Sequence, residues 1–106
     1  MRTVDLKTFR PATGQEARTA RLVRHLDARL RDFGPGGPEV MEADQASGVV
    51  AARFPGHDTA RILARLKEEY GVSAGLEKDA AVFRLSPDTR FEDLDYVWGC
   101  LFDLLS

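Results

Sequence analysis

The chain has 106 residues, enough for one domain with a single modest core, and its 43% hydrophobic and 30% charged content is ordinary for a globular protein. A net charge of −2 gives no field to recruit nucleic acid or an anionic membrane, and the one cysteine, Cys100, excludes an internal disulfide and fits a reducing compartment. The start, MRTVDLKTFRP, carries charges where a signal peptide needs an apolar run, and every apolar stretch is far shorter than the ~20 residues of a membrane helix. A cytoplasmic protein with neither nucleic-acid nor membrane partners is expected.

Residues 1–12 alternate weakly through Val4, Leu6 and Phe9 and stop at Pro11. They read as an N-terminal arm, or as an edge strand against another chain, ahead of a single domain at 13–106. Thr13-Gly14-Gln15-Glu16 has capping-box spacing. The helix it opens is predicted to run to about Phe33, with Val23, Leu26, Leu30 and Phe33 on one stripe. Arg18, Arg21, Arg24, Arg29 and Arg31 fall mostly off that stripe. They read as a solvated face tempered by Glu16, Asp27 and Asp32; no interleaved aromatics make them a nucleic-acid surface.

Gly34-Pro35-Gly36-Gly37-Pro38 ends the helix and is a connector, since no strand precedes it and no GK[ST] follows. Glu39 to Glu42 reads as a short edge strand and Asp44 to Ser47 as polar loop. Gly48 to Phe54 alternates as a strand, Pro55-Gly56-His57 breaks it, and Asp58 stands as N-cap of the next helix. That helix carries Ile62, Leu63, Leu66 and Tyr70 on its apolar stripe, and Gly71 followed by Val72 is a left-handed cap with its hydrophobic companion. Strands are predicted at Val72 to Glu77 and Ala81 to Leu85, joined through Lys78-Asp79-Ala80. Thr89-Arg90-Phe91-Glu92 repeats the capping-box spacing before a last helix. Its stripe of Phe91, Leu94, Trp98, Leu101 and Leu105, widened by Val97, Phe102 and Leu104, predicts deep docking on the sheet or a subunit contact.

The order α-β-α-β-β-α specifies an α+β two-layer sandwich: a mainly antiparallel sheet of three to four strands with helices on one face. Strand 81–85 belongs in the middle, antiparallel to 48–54 and 72–77. The period of two then divides the residues. Val50, Ala52, Phe54, Val72, Ala74, Leu76, Ala81, Phe83 and Leu85 are expected to meet the helices. Val49, Ala51, Arg53, Ser73, Gly75, Glu77, Val82 and Arg84 are expected on the other side. Arg84 is the candidate binding residue, a planar fork of donors suited to a carboxylate or phosphate, with Gly75 opposite it leaving room. Arg53, Ser73 and Gly75 are its neighbours on that face. The competing reading is an exposed arginine paired with Glu77.

No catalytic constellation emerges. His25, His57 and Cys100 lack metal-ligand spacing. His57 beside Asp58 reads as a polar loop and helix cap rather than a base and its orienting acid. Asp93 and Asp95 diverge around a helix, and Cys100 reads as a buried small hydrophobe.

GVVAARFPGHDTARILARLKEEYGVSAG followed by AVFRLSPDTRFEDLDYVWGCLFDLL resembles the small C-terminal domain of fold-type I pyridoxal-phosphate enzymes, in the class V aminotransferase and cysteine desulfurase branch. With the helix from Glu16 to Phe33 as the family's connector helix, the likeness covers about the last 90 residues. It implies that Arg84, in FRLSP, is the strand arginine that grips a substrate α-carboxylate. The large cofactor domain has no counterpart, and neither does the Schiff-base lysine, since Lys7, Lys67 and Lys78 lie outside the matching segments. The resemblance therefore implies an isolated small domain, not catalytic alone, that serves as an interaction or ligand-binding module. It would bind pyridoxal phosphate only if a partner supplied the large domain, and it would act as a homodimer or with such a cofactor-domain partner. An amino-acid sensor of ferredoxin-like type and the small half of a split aminotransferase are the alternatives.

Overall fold

The computed structural model describes residues 14–105. The arm at 1–12 and the first capping box, opened by Thr13, lie outside the described residues. The elements are α1 (Gly14–Arg31), β1 (Glu39–Asp44), β2 (Val49–Arg53), α2 (Thr59–Tyr70), β3 (Gly75–Glu77), β4 (Ala80–Arg84) and α3 (Phe91–Leu105). The four strands form one sheet in the order β1-β2-β4-β3, every neighbouring pair antiparallel. This is the expected α+β two-layer sandwich with helices on one face, and β4 is central as expected. The edge strand β1 runs two residues further than its expected end, making the order α-β-β-α-β-β-α.

Local chemistry sets most boundaries. Asp58 caps α2, its carboxylate accepting from the Ala60 N–H, and Gly71 ends the helix at φ +71°. The Gly71 N–H donates to the Lys67 carbonyl, the single bond of an αL cap, and the Val72 N–H donates to the Leu66 carbonyl. The cap of α3 departs from expectation by one residue. The Arg90 N–H donates to Asp93 Oδ2, while Thr89 Oγ1 accepts from the Ser86 N–H. Only the carboxylate half of a capping box forms, one residue later than expected, and the threonine serves the preceding turn.

The β3–β4 hairpin turns through Lys78 and Asp79, both left-handed at φ +50° and +70°. Two positive φ values are what a two-residue hairpin of this hand requires, and L-residues adopt them at a cost of about 1–2 kcal/mol each. Substituting Asn-Gly for Lys78-Asp79 is therefore expected to add about 1 kcal/mol of stability, read as a higher urea midpoint with unchanged slope.

The β1–β2 hairpin is tied differently. Asp44 Oδ1 accepts from the N–H groups of Ala46 and Ser47, and the Gly48 N–H donates to the Asp44 carbonyl. These bonds, Ser47 first and Ala46 next, hold the Asp44 carboxyl below its ordinary range. A depressed carboxylate contributes stability above its unfolded value, and that contribution disappears as pH falls through the folded value. An NMR titration should find the Asp44 midpoint in the folded chain below that of the same aspartate in the urea-unfolded chain, and Asp44→Asn should flatten the loss of stability on acidification.

The core is continuous through both layers. Leu22, Val23, Leu26 and Leu30 of α1, Ile62 and Leu66 of α2, and Leu94, Cys100, Leu101 and Leu104 of α3 enclose Val50, Ala52, Phe54, Ala81 and Phe83. The strand-face assignment holds for these residues, and Val72, Ala74 and Leu85 pack at the margin. Leu76 departs from it: paired with Ala81 on the short edge strand, it is 50% exposed. The strand predicted from Val72 begins only at Gly75. α3 brings Leu94, Cys100, Leu101 and Leu104 into the core shared with the sheet, and its closest backbone neighbours are α1 and α2. Its wide apolar surface serves two helices at once, with Trp98 against Phe33 on one side and Tyr96 donating to the Tyr70 carbonyl on the other.

Candidate functional site

The three described helices lie on one face of the sheet and leave the other face to the strands' alternate residues. Its two central strands present Val49, Ala51 and Arg53 from β2 and Ala80, Val82 and Arg84 from β4, because their alternates are the core residues. β1 adds Glu39, Glu42 and Asp44, the register partners of Arg53, Ala51 and Val49. A bulge between Val40 and Glu42 leaves Met41 without a partner, half exposed.

Both arginines are held by glutamates. Arg53 Nη2 donates to Glu39 Oε1 at 3.1 Å, directly across from it on β1. Arg84 Nη2 donates to Glu77 Oε2 at 3.0 Å. This second contact is long in the strand direction, because Glu77 is the partner of Ala80, four residues from Arg84. At about 3.4 Å per residue the two must lean toward each other along the sheet, across the row occupied by Val82 and Gly75. Val82 in that row is only 5% exposed, on a face that none of the described helices covers. Gly75 faces Val82, not Arg84, so the expected pairing with Arg84 is off by two residues. A methyl at position 75 would meet Val82 Cβ at an ordinary 3.8 Å, so the glycine supplies room rather than avoiding a clash.

Two adjoining depressions result. The smaller, about 270 Å³, is lined by Ser73, Ala74, Gly75, Val82 and Arg84. The larger, about 440 Å³, runs between Arg53 and Arg84 over Val49, Ala51, Ala80 and Val82. Three of the four residues singled out in the sequence, Ser73, Gly75 and Arg84, thus meet at one depression, and Arg53 stands at the far end of the next. Glu39, brought in by the β1 register, and Met41, lifted by the bulge, had no sequence signal beyond an apparent edge strand.

Elsewhere the polar groups serve structure. Asp58 is spent on capping α2 rather than orienting His57. Asp93 caps α3, whereas Asp95 faces α1, where it meets His25 Nε2 at 2.9 Å and Arg29 Nε at 3.3 Å. Arg29 in turn lies 4.3 Å over the Trp98 ring. This His–Asp pair was not expected from the sequence; the i, i+4 spacing of His25 and Arg29 is the only hint of it. It has the geometry of a seam between two helices. Cys100 is buried beside Tyr96, and burial pushes its thiol pKa up, as a small core hydrophobe requires. Among the described residues no cluster of three His, Cys, Asp or Glu side chains could hold a metal, and no helix is long and apolar enough to cross a membrane. No protein-family model, curated protein or solved structure matches the chain.

Proposed function

We propose that this protein is a ligand-binding module, a counterpart of the aminotransferase small domain, that holds a carboxylate-bearing small molecule against Arg84 on the sheet face opposite the described helices. One observation carries the reading. Arg84 sits in a central strand with its guanidinium over an open depression, beside the small residues Ser73 and Gly75. Its partner Glu77 is itself exposed. An exposed ion pair contributes only about 0–1 kcal/mol, so a ligand carboxylate can replace Glu77 at little cost. An arginine fork accepts a carboxylate through two parallel bonds, and the glycine and serine leave space for the atoms attached to it.

The run β2–α2–β3–β4–α3, with β1 beside β2, contains all but one element of a βαββαβ sandwich. That order favours, as the second reading, a sensor that reports the same kind of ligand to a partner.

A thermal-shift screen of amino acids and 2-oxo acids tests the proposal. At a hundredfold excess over Kd, a bound ligand adds about 2.7 kcal/mol, a rise of roughly 10 °C for a chain of this size. That rise is expected in the wild type, reduced in Arg84→Lys and lost in Arg84→Ala. A ligand that stabilises wild type and Arg84→Ala equally would remove Arg84 from the site. Size-exclusion chromatography of the unliganded protein separates the alternative in which a second copy occupies the face.

A further inference from the structure

We propose that the sheet face opposite the described helices is a two-ended site for an extended α,ω-dicarboxylic acid with an apolar middle, one carboxylate on Arg84 and the other on Arg53. The inference rests on the carboxylate-binding reading above and deepens it by naming the class of ligand.

The first support is internal symmetry. On this face β2 reads Val49, Ala51, Arg53 and β4 reads Ala80, Val82, Arg84, and the strands are antiparallel with Ala51 paired to Val82. A two-fold axis normal to the sheet through that pair exchanges Val49 with Ala80, Ala51 with Val82, and Arg53 with Arg84. A binding surface with two like ends suits a ligand with two like ends. The second support is the floor. Val49 is the partner of Arg84, so Arg53 stands four residues further along, about 14 Å by strand rise. The central strands put only valine and alanine between the two arginines, and a single depression of about 440 Å³ reaches both, with Glu42, Ser47 and Lys78 at its sides. A polar middle would lose hydrogen bonds over that floor, whereas a methylene chain would not.

The third support is availability. Each guanidinium is engaged by one glutamate on an edge strand, Glu39 on β1 and Glu77 on β3, and all four side chains are about half exposed or more. Such pairs exchange for a ligand carboxylate at little net cost. Glu39 and Glu77 are thereby built-in competitors that occupy the two ends when no ligand is present. A monocarboxylate can displace only one of them.

Isothermal titration of the full chain with the linear dicarboxylates from succinate to sebacate, and with monocarboxylates of the same lengths, decides the matter. One long dicarboxylate is expected to bind at least about tenfold more tightly than its monocarboxylate. Arg53→Ala should bring that ratio to about one, and Glu39→Gln with Glu77→Gln should tighten the dicarboxylate severalfold. These exposed positions keep the core intact, and circular dichroism verifies it. If dicarboxylates and monocarboxylates bind equally at every length, or if Arg53→Ala leaves the ratio unchanged, the two-ended site is overturned while a one-ended site on Arg84 stands. If no carboxylate binds wild type or the double glutamine variant, or if Arg84→Ala weakens none of them, both readings fall together.

Discussion

Gly48→Ala is expected to cost at least about 3 kcal/mol, roughly 15 °C in Tm for a domain of this size. Gly48 joins the β1–β2 loop to β2 at φ +76°, a conformation that costs an L-residue about 1–2 kcal/mol on its own. An added Cβ would also stand 2.5 Å from the Leu85 carbonyl oxygen and 3.0 Å from Thr19 Cγ2. The first of these is a backbone atom, and it has little freedom to retreat. The Leu85 N–H donates to the Gly48 carbonyl at 2.7 Å, tying the end of β4 to the start of β2. Relief would therefore pull apart the two central strands. Gly56 is the internal control, since it is also left-handed, at φ +84°, but an added methyl there would meet no atom within 4 Å. Gly56→Ala should show the backbone cost alone, about 1–2 kcal/mol. Equal urea midpoints for the two variants would mean that the close approach at Gly48 has no energetic weight.

Gly48 also shows where sequence reading stops. Alternation marked 48–54 as a strand, and a period of two cannot distinguish a strand's first residue from the hinge before it. The steric demand on Gly48 comes from Leu85, far along the chain, which no local pattern encodes. The same division runs through the molecule. Val50, Ala52, Ala81 and Phe83 faced the helices as their alternation required, and Asp58 and Gly71 bounded α2 as their backbone preferences required. The pairing register was out of reach. With β3 short and β1 bulged, Gly75 went opposite Val82 rather than Arg84, and Met41 was left without a partner. At the candidate site, the face and the residues Arg84, Ser73 and Gly75 were legible from the period of two. Their grouping into one depression, and the Glu77–Arg84 pair across the Val82 row, follow from register and side-chain reach. The breadth of the α3 stripe was legible too, but its cause, a helix wedged between two others, belongs to packing.

Arg18→Met is expected to cost about 2–4 kcal/mol, a large effect for a residue that composition places among the solvated arginines of α1. Arg18 is half-buried. Its Nε donates to the Pro87 carbonyl at 2.8 Å and its Nη2 to the Thr89 carbonyl at 3.0 Å, while its guanidinium lies 5.6 Å from the Phe91 ring centroid. One side chain thus fastens the 86–90 turn, and with it the start of α3, to the first helix. Methionine keeps most of the apolar stem and removes the donors, so the loss reads the hydrogen bonds rather than the packing. Two carbonyls would be left to find water in a half-covered turn, and hydrogen bonds from a charged donor are worth about 1.5–3 kcal/mol each. Arg21 and Arg24, on the exposed side of the same helix, should tolerate methionine within about 0.5 kcal/mol. Hydrogen exchange gives the sharper reading. In Arg18→Met the amides of Leu94 and Asp93, which bond to the Arg90 carbonyl, should lose protection before those of β2 and β4. Uniform loss across the chain would mean that Arg18 acts on global stability alone. No loss at all would mean that the turn is held without it.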